Sequence, residues 1–217
     1  MARLRVGVLI SGRGSNLQAL IDAGADPAYP AEVVTVLSNY ADAYGLQRAR
    51  AAGIPATIIN HRAFNARQGF EAALDSALRA ARVELVCLAG FMRLLTPWFV
   101  ERWHNALINI HPSLLPAFKG LDTHSRVLAS GATITGCSVH FVRATMDEGP
   151  IIAQAAVPIL GGDTPQKLAE RVLAAEHACY PLAIRLIAEG RVRIENERAL
   201  ISNGAPPPLM ALINPAG

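Results

Sequence analysis

What this sequence has little of narrows it first. Only three of its 217 residues are cysteine. Cys87, Cys137 and Cys179 are odd in number, far apart, and fit neither a CxxC nor a Cys/His ligand spacing. That argues against a disulfide framework or a zinc site and for reduced thiols in a cytoplasmic protein. Charge is sparse: 17% of residues are charged and the formal net charge is +3. No run of lysine and arginine is interleaved with aromatics, so no nucleic-acid partner is implied. Long apolar runs are missing too. None approaches the ~20 residues of a membrane span. The opening Met1–Gly12 carries Arg3 and Arg5 before an apolar run. That run breaks after about six residues, too short for the core of a secretory leader.

What is present is a large core. Hydrophobic residues make up 52% of the chain, enough for a globular fold. Short β-favouring runs at Leu4–Ile10, Glu32–Leu37, Ile54–Ile59, Val83–Ala89 and Ala106–Ile110 alternate with helical spacings. These spacings predict helices over Ser15–Ala23, Tyr44–Ala52, Phe64–Ala81 and Trp98–His104. Such alternation predicts right-handed crossovers and a mainly parallel, twisted sheet, an α/β fold of Rossmann-like type. The second half reads differently. A short helix over Thr123–Ala129 precedes two strands, Thr133–Val142 and Ile151–Leu160, that are either an antiparallel pair or diverge. Thr164 then caps a long helix to Glu189, and Val192–Ile194 with Ala199–Ile201 reads as a terminal hairpin. Pro206-Pro207-Pro208 marks a loosely held tail. One continuous domain over 1–217 is expected, with a phosphate-binding half (1–105), a second half with an antiparallel portion (106–201) and the tail (202–217).

Four segments break their local pattern. Ile108 and Ile110 alternate with Asn109 and His111, so a carboxamide and an imidazole share one face of a strand that Pro112 stops. The carboxyl end of such a strand is where open α/β sheets place ligands. The pair either serves chemistry or satisfies a turn. Ser11-Gly12-Arg13-Gly14-Ser15-Asn16 joins a strand to a helix, as a plain turn or as a grip on an anion by helix N–H groups. Leu17 stands where a dinucleotide fingerprint has its third glycine, and the second strand ends in Ser38-Asn39 rather than an acid. A monophosphate therefore fits better than a dinucleotide. Phe91–Leu95 after Gly90 is either a helix entry or a pocket wall for a flat heterocycle. Asp147 lies in the connector Met146–Pro150, as a turn former or as a catalytic acid. His61, His104 and His177 read as surface or packing residues, and Glu176 as solvent-exposed. His124 and His140 lie closer to the site in chain order, and their roles stay open.

Taken in order, Ser11–Leu17, Leu88–Arg93, Asn109–Pro116 and Asp147–Pro150, with Glu176-His177 and Tyr180-Pro181, resemble the phosphoribosylglycinamide formyltransferase family from about Val6 to Gly190. The Asn-x-His…Asp set is shared by the wider formyltransferase group, so it identifies the chemistry better than the acceptor. The intact Gly-x-Gly-Ser-Asn turn and the short chain favour this branch. Asp122 stands where some relatives have another histidine and is left outside the assignment. The resemblance implies transfer of a formyl group from 10-formyltetrahydrofolate to the amine of glycinamide ribonucleotide in purine synthesis. It also implies direct attack without a covalent intermediate and without a metal. Asn109 would donate to the oxyanion, while His111 would stabilise it and help move the proton. Asp147 would pair with the imidazole and position a water. Gly14, Ser15 and Asn16 would hold the phosphate and Glu176 the ribose or amide. Met92, Arg93, Leu94 and Leu95, with Asn109 and Arg143, Ala144, Thr145, Met146 and Asp147, would line the folate site, and Arg67 would face its glutamate tail. The partners expected are these small molecules alone, for a monomer or homodimer. The alternatives are a formyltransferase with another amine acceptor, such as an amino sugar or a tRNA, or a nucleotide-binding oxidoreductase module.

Overall fold

The apolar runs become strands where both faces are covered. The computed structural model describes residues 2–202 and 212–214. Its elements are β1 (Leu4–Ile10), α1 (Ser15–Ala25), β2 (Ala31–Ser38), α2 (Gly45–Ala51), β3 (Ala56–Ile58), α3 (Arg67–Ala80), β4 (Leu85–Leu88), α4 (Pro97–Arg102) and β5 (Leu107–His111). Then follow α5 (Thr123–Ala129), β6 (Ile134–Phe141), β7 (Ile151–Pro158), α6 (Pro165–Ala188), β8 (Val192–Glu195) and β9 (Arg198–Ile201). Seven strands form one sheet in the order β3-β2-β1-β4-β5-β6-β7. Within it β1 pairs in parallel with β2 and β4, β2 with β3, and β4 with β5. β6 and β7 pair antiparallel, which decides between the two arrangements their sequences allow. β8 and β9 form the separate hairpin. The tail around Pro206–Pro208 lies outside the described residues.

The chain divides into two compact units, residues 1–109 with 141–145, and residues 110–140 with 146–217. The division falls inside β5, between Asn109 and Ile110. In the first unit β1 and β4 carry Val8, Leu9, Val86 and Cys87, all buried as parallel central strands require. Phe70, Leu74 and Leu78 on α3 pack into the same cluster as Leu9, Leu37 and Phe99. α3 starts at Arg67 rather than Phe64, because Asn60 caps a 3-10 turn over His61–Ala63 and leaves Phe64 extended. The Phe64 ring packs edge-on against Phe70, with centroids 5.9 Å apart. β3 shrinks to three residues at the sheet edge, where only one side offers a partner. In the second unit Leu168, Val172, Tyr180 and Ile184 of α6 are buried, and Thr164 Oγ1 caps the helix by accepting from Lys167 N–H.

Two acids sit on the buried side of α3. Glu71 accepts from the N–H of Thr96, the residue before α4. Asp75 accepts from Arg102 Nη2 at 2.8 Å, from Arg79 Nε at 3.0 Å and from the buried Trp103 Nε1 at 3.0 Å. Burial alone would raise the Asp75 pKa. The hydrogen bonds from Arg102 and Arg79 outweigh it and hold the carboxyl below its usual value. In Asp75→Ala the two arginines return to water, while the Trp103 N–H keeps its burial without an acceptor. Urea unfolding is expected to show a loss of about 1–3 kcal/mol. An unchanged midpoint would mean that this cluster does not hold α3 to α4.

Candidate active site

In the first unit β1 runs into the glycine turn and α1 begins at Ser15. Gly14, which precedes the helix, has φ +69°, a left-handed conformation that favours glycine. A Cβ on Gly14 would come within 2.7 Å of the Gly45 Cα, and one on Gly45 within 2.5 Å of Ile10 Cδ1. The start of α2 therefore presses on the turn backbone to backbone. Gly45 N–H donates to the Gly12 carbonyl at 3.0 Å and Arg48 Nε to the Arg13 carbonyl at 3.0 Å. No side chain caps the amino end of α1. Gly14, Ser15 and Asn16 thus surround a helix terminus whose amides and dipole favour an anion.

Gly90, with φ +71°, turns the chain out of β4 into an irregular segment that ends at α4. Phe91 is buried and stacks on Phe70 at 6.4 Å, whereas Met92 and Leu94 are 66% and 63% exposed. Exposed apolar side chains on a backbone pinned at both ends fit the face of a flat heterocycle, and Arg93 lies between them. The pins are two side chains that sequence reasoning did not single out. Ser11 Oγ accepts from Met92 N–H at 2.8 Å, and Glu71 Oε1 accepts from Thr96 N–H at 2.7 Å. Glu71 is fully buried and also takes the Thr96 hydroxyl. Its signal in the sequence was an acid three residues before Leu74 on an apolar stripe. Arg67 is the exposed first residue of α3. Arg143 Nη2 donates to Asn105 Oδ1 at 2.8 Å, and Ala144 and Thr145 after it are exposed.

In the second unit the chemistry gathers on Asp147. Its backbone is left-handed at φ +56°, and Gly120 N–H donates to its Oδ2 at 2.9 Å. The same oxygen lies 3.4 Å from His111 Nδ1, and Oδ1 lies 3.7 Å from Nε2 of the buried His140. The Asp147 side chain is 8% exposed. His111 Nε2 donates to the Phe118 carbonyl at 2.9 Å, since a carbonyl can only accept. The other ring nitrogen, Nδ1, faces the Asp147 carboxylate. The chain after His111 is held by Ser138, which donates to the Ser113 carbonyl at 2.7 Å and accepts from Leu115 N–H at 2.9 Å. Lys119 and Glu148 pair at 2.8 Å beside Gly120 and Asp147.

Asn109 is half-buried two residues before His111, on the same face of β5. Met146 is exposed. Burial pushes the His124 pKa down and the neighbouring His111 adds to it, so His124 tends to stay neutral. Glu176 is buried on α6 rather than solvent-exposed, because that turn of the helix faces inward with Cys179 and Tyr180. His104 is an exposed neighbour of Glu101, and His61 packs between Tyr40 and Phe70.

Residues 4–184 match the formyl transferase family model. The chain is 44% identical over 205 residues to the phosphoribosylglycinamide formyltransferase of Escherichia coli K12, covering 94% of this chain and 97% of that one. This chain belongs to the phosphoribosylglycinamide formyltransferase family. A solved structure of glycinamide ribonucleotide transformylase 1 from Symbiobacterium toebii superposes with a TM-score of 0.90 at 52% identity, over 92% of this chain and 94% of that one. The trifunctional purine biosynthetic protein adenosine-3 of Bos taurus is 51% identical over 90% of this chain. Of that much longer relative the chain spans 20%. The mainly parallel sheet with its antiparallel addition is the fold of this family. Among the described residues no helix is long and apolar enough to cross a membrane.

Proposed function

We propose that this formyltransferase moves a formyl group from 10-formyltetrahydrofolate to the amine of glycinamide ribonucleotide, a step of purine synthesis. The observation that carries the reading is the buried His111–Asp147 pair at 3.4 Å, its histidine on the strand that also bears Asn109. The formyl donor supplies an activated carbonyl. Attack by the neutral amine places negative charge on the formyl oxygen, the amine sheds a proton, and the folate nitrogen N10 leaves with one. The Asn109 carboxamide donates to that oxygen. His111 Nε2 already carries a proton held by the Phe118 carbonyl. An oxyanion is a stronger acceptor and competes for it. Asp147 keeps the imidazolium paired while the proton is shared, and positions a water for its transfer.

The phosphate of the substrate goes to Gly14, Ser15 and Asn16, and its ribose or amide to Glu176. The folate lies on Met92, Arg93, Leu94 and Leu95 with the backbone from Arg143 to Asp147, and Arg67 faces its glutamate tail. Support for the acceptor comes from the intact glycine turn and from the names of the relatives covered over nearly their whole length. Tetrahydrofolate release is expected only when glycinamide ribonucleotide is added to chain and formyl donor. Equal release with an amino sugar or a tRNA acceptor would reassign the substrate, and release without any amine would make the chain a hydrolase.

A further inference from the structure

Ser11 follows β1 and opens the glycine turn, yet its hydroxyl bonds to Asn39 and Met92 outside the turn. Met92 N–H can only donate, so Ser11 Oγ accepts from it at 2.8 Å. That leaves the hydroxyl proton for Asn39 Oδ1, 2.6 Å away. Asn39 is fully buried at the end of β2, and its Nδ2 lies 3.3 Å from His61 Nδ1. Met92 is therefore tied through one hydroxyl to a fully buried carboxamide. The glycine turn has other supports: Gly45 on Gly12, Arg48 on Arg13, and Gln18 N–H on the Gly14 carbonyl. None of these uses the Ser11 side chain.

We propose that Ser11 is a positioning residue for the folate, acting through the amide of Met92 and not through the phosphate turn that it adjoins. The inference rests on the reading of Met92–Leu95 as the folate wall. Between Gly90 and α4 this segment joins no strand or helix; Phe91 and Leu95 pack into the core, and the backbone is held by two side-chain tethers, Ser11 at Met92 and Glu71 at Thr96. Losing the first tether lets Met92 exchange its acceptor for water. Leu94 and Arg93 then sample other positions, and the folate must order them on binding.

The test is Ser11→Ala, with Ser11→Thr restoring a hydroxyl. One hydrogen bond of ordinary net strength corresponds to about a two- to tenfold effect. The alanine variant is expected to raise the KM for 10-formyltetrahydrofolate by that factor. The KM for glycinamide ribonucleotide and kcat should each stay within about twofold. Calorimetric binding of 5,8-dideazafolate, with no turnover involved, should weaken by the same factor, and Ser11→Thr should recover most of it. Unchanged folate KM and dideazafolate affinity would overturn the inference, as would equal losses for both substrates. If the unmodified chain neither binds dideazafolate nor forms tetrahydrofolate, the functional reading itself fails and takes the inference with it.

Discussion

Replacing His111 with alanine is expected to lower turnover at least about a hundredfold, with a much smaller change in either KM. The imidazole sits between a carbonyl on Nε2 and a carboxylate on Nδ1, so the ring is oriented before any substrate arrives. A donor oriented in advance near a developing oxyanion acts mainly on the transition state, which is why the loss falls on kcat. Asp147→Asn should follow in the same direction, because an amide no longer pairs with the imidazolium. Since His111 is buried, truncation also leaves a small void. A thermal scan separates that effect: a folded His111→Ala protein with a cooperative transition and near-normal turnover would remove His111 from the chemistry.

Gly14→Ala should fail in another way. The added Cβ meets backbone, the Gly45 Cα at 2.7 Å, and no side-chain rotamer can relieve that. The residue must also hold φ +69°. Together these are worth roughly 2–4 kcal/mol of stability. For a chain of this length that corresponds to about 5–15 °C in the unfolding midpoint. The shifted turn should also misplace the amides of Ser15 and Asn16. The KM for glycinamide ribonucleotide should then rise by about tenfold or more, since hydrogen bonds to a charged group are the stronger kind. Folate affinity should change far less, the reverse of the Ser11→Ala pattern. A Gly14→Ala protein with native midpoint and native phosphate affinity would show that the turn is not the anion grip.

The parallel half of the fold was legible because buried strands spell themselves as short apolar runs. Leu4–Ile10 is β1 to the residue. Boundaries were less so. Phe64 reads as the first turn of α3 by spacing, but Asn60 captures the backbone earlier and the aromatic packs from outside the helix. Asn109 and His111 stood out as polar residues in a strand, while Asp147 read as a turn former or a catalytic acid until the family resemblance favoured the second. Glu176 reads as exposed from its composition, and the inward face of α6 buries it. Ser11 and Glu71 gave little signal, because their role lies in whose backbone they hold.

By itself the sequence determined the α/β architecture, the strand bearing Asn109 and His111, and the glycine turn. Each of these is a local pattern of side-chain period or backbone freedom, readable along the chain. Only the tertiary structure decided that Asp147 meets His111 and His140, that Gly14 lies against Gly45, and that Met92 hangs from Ser11. Apart from His140, seven positions before Asp147, those meetings join residues tens of positions apart. They follow from how strands order in the sheet and where loops close, and a linear spacing does not encode that.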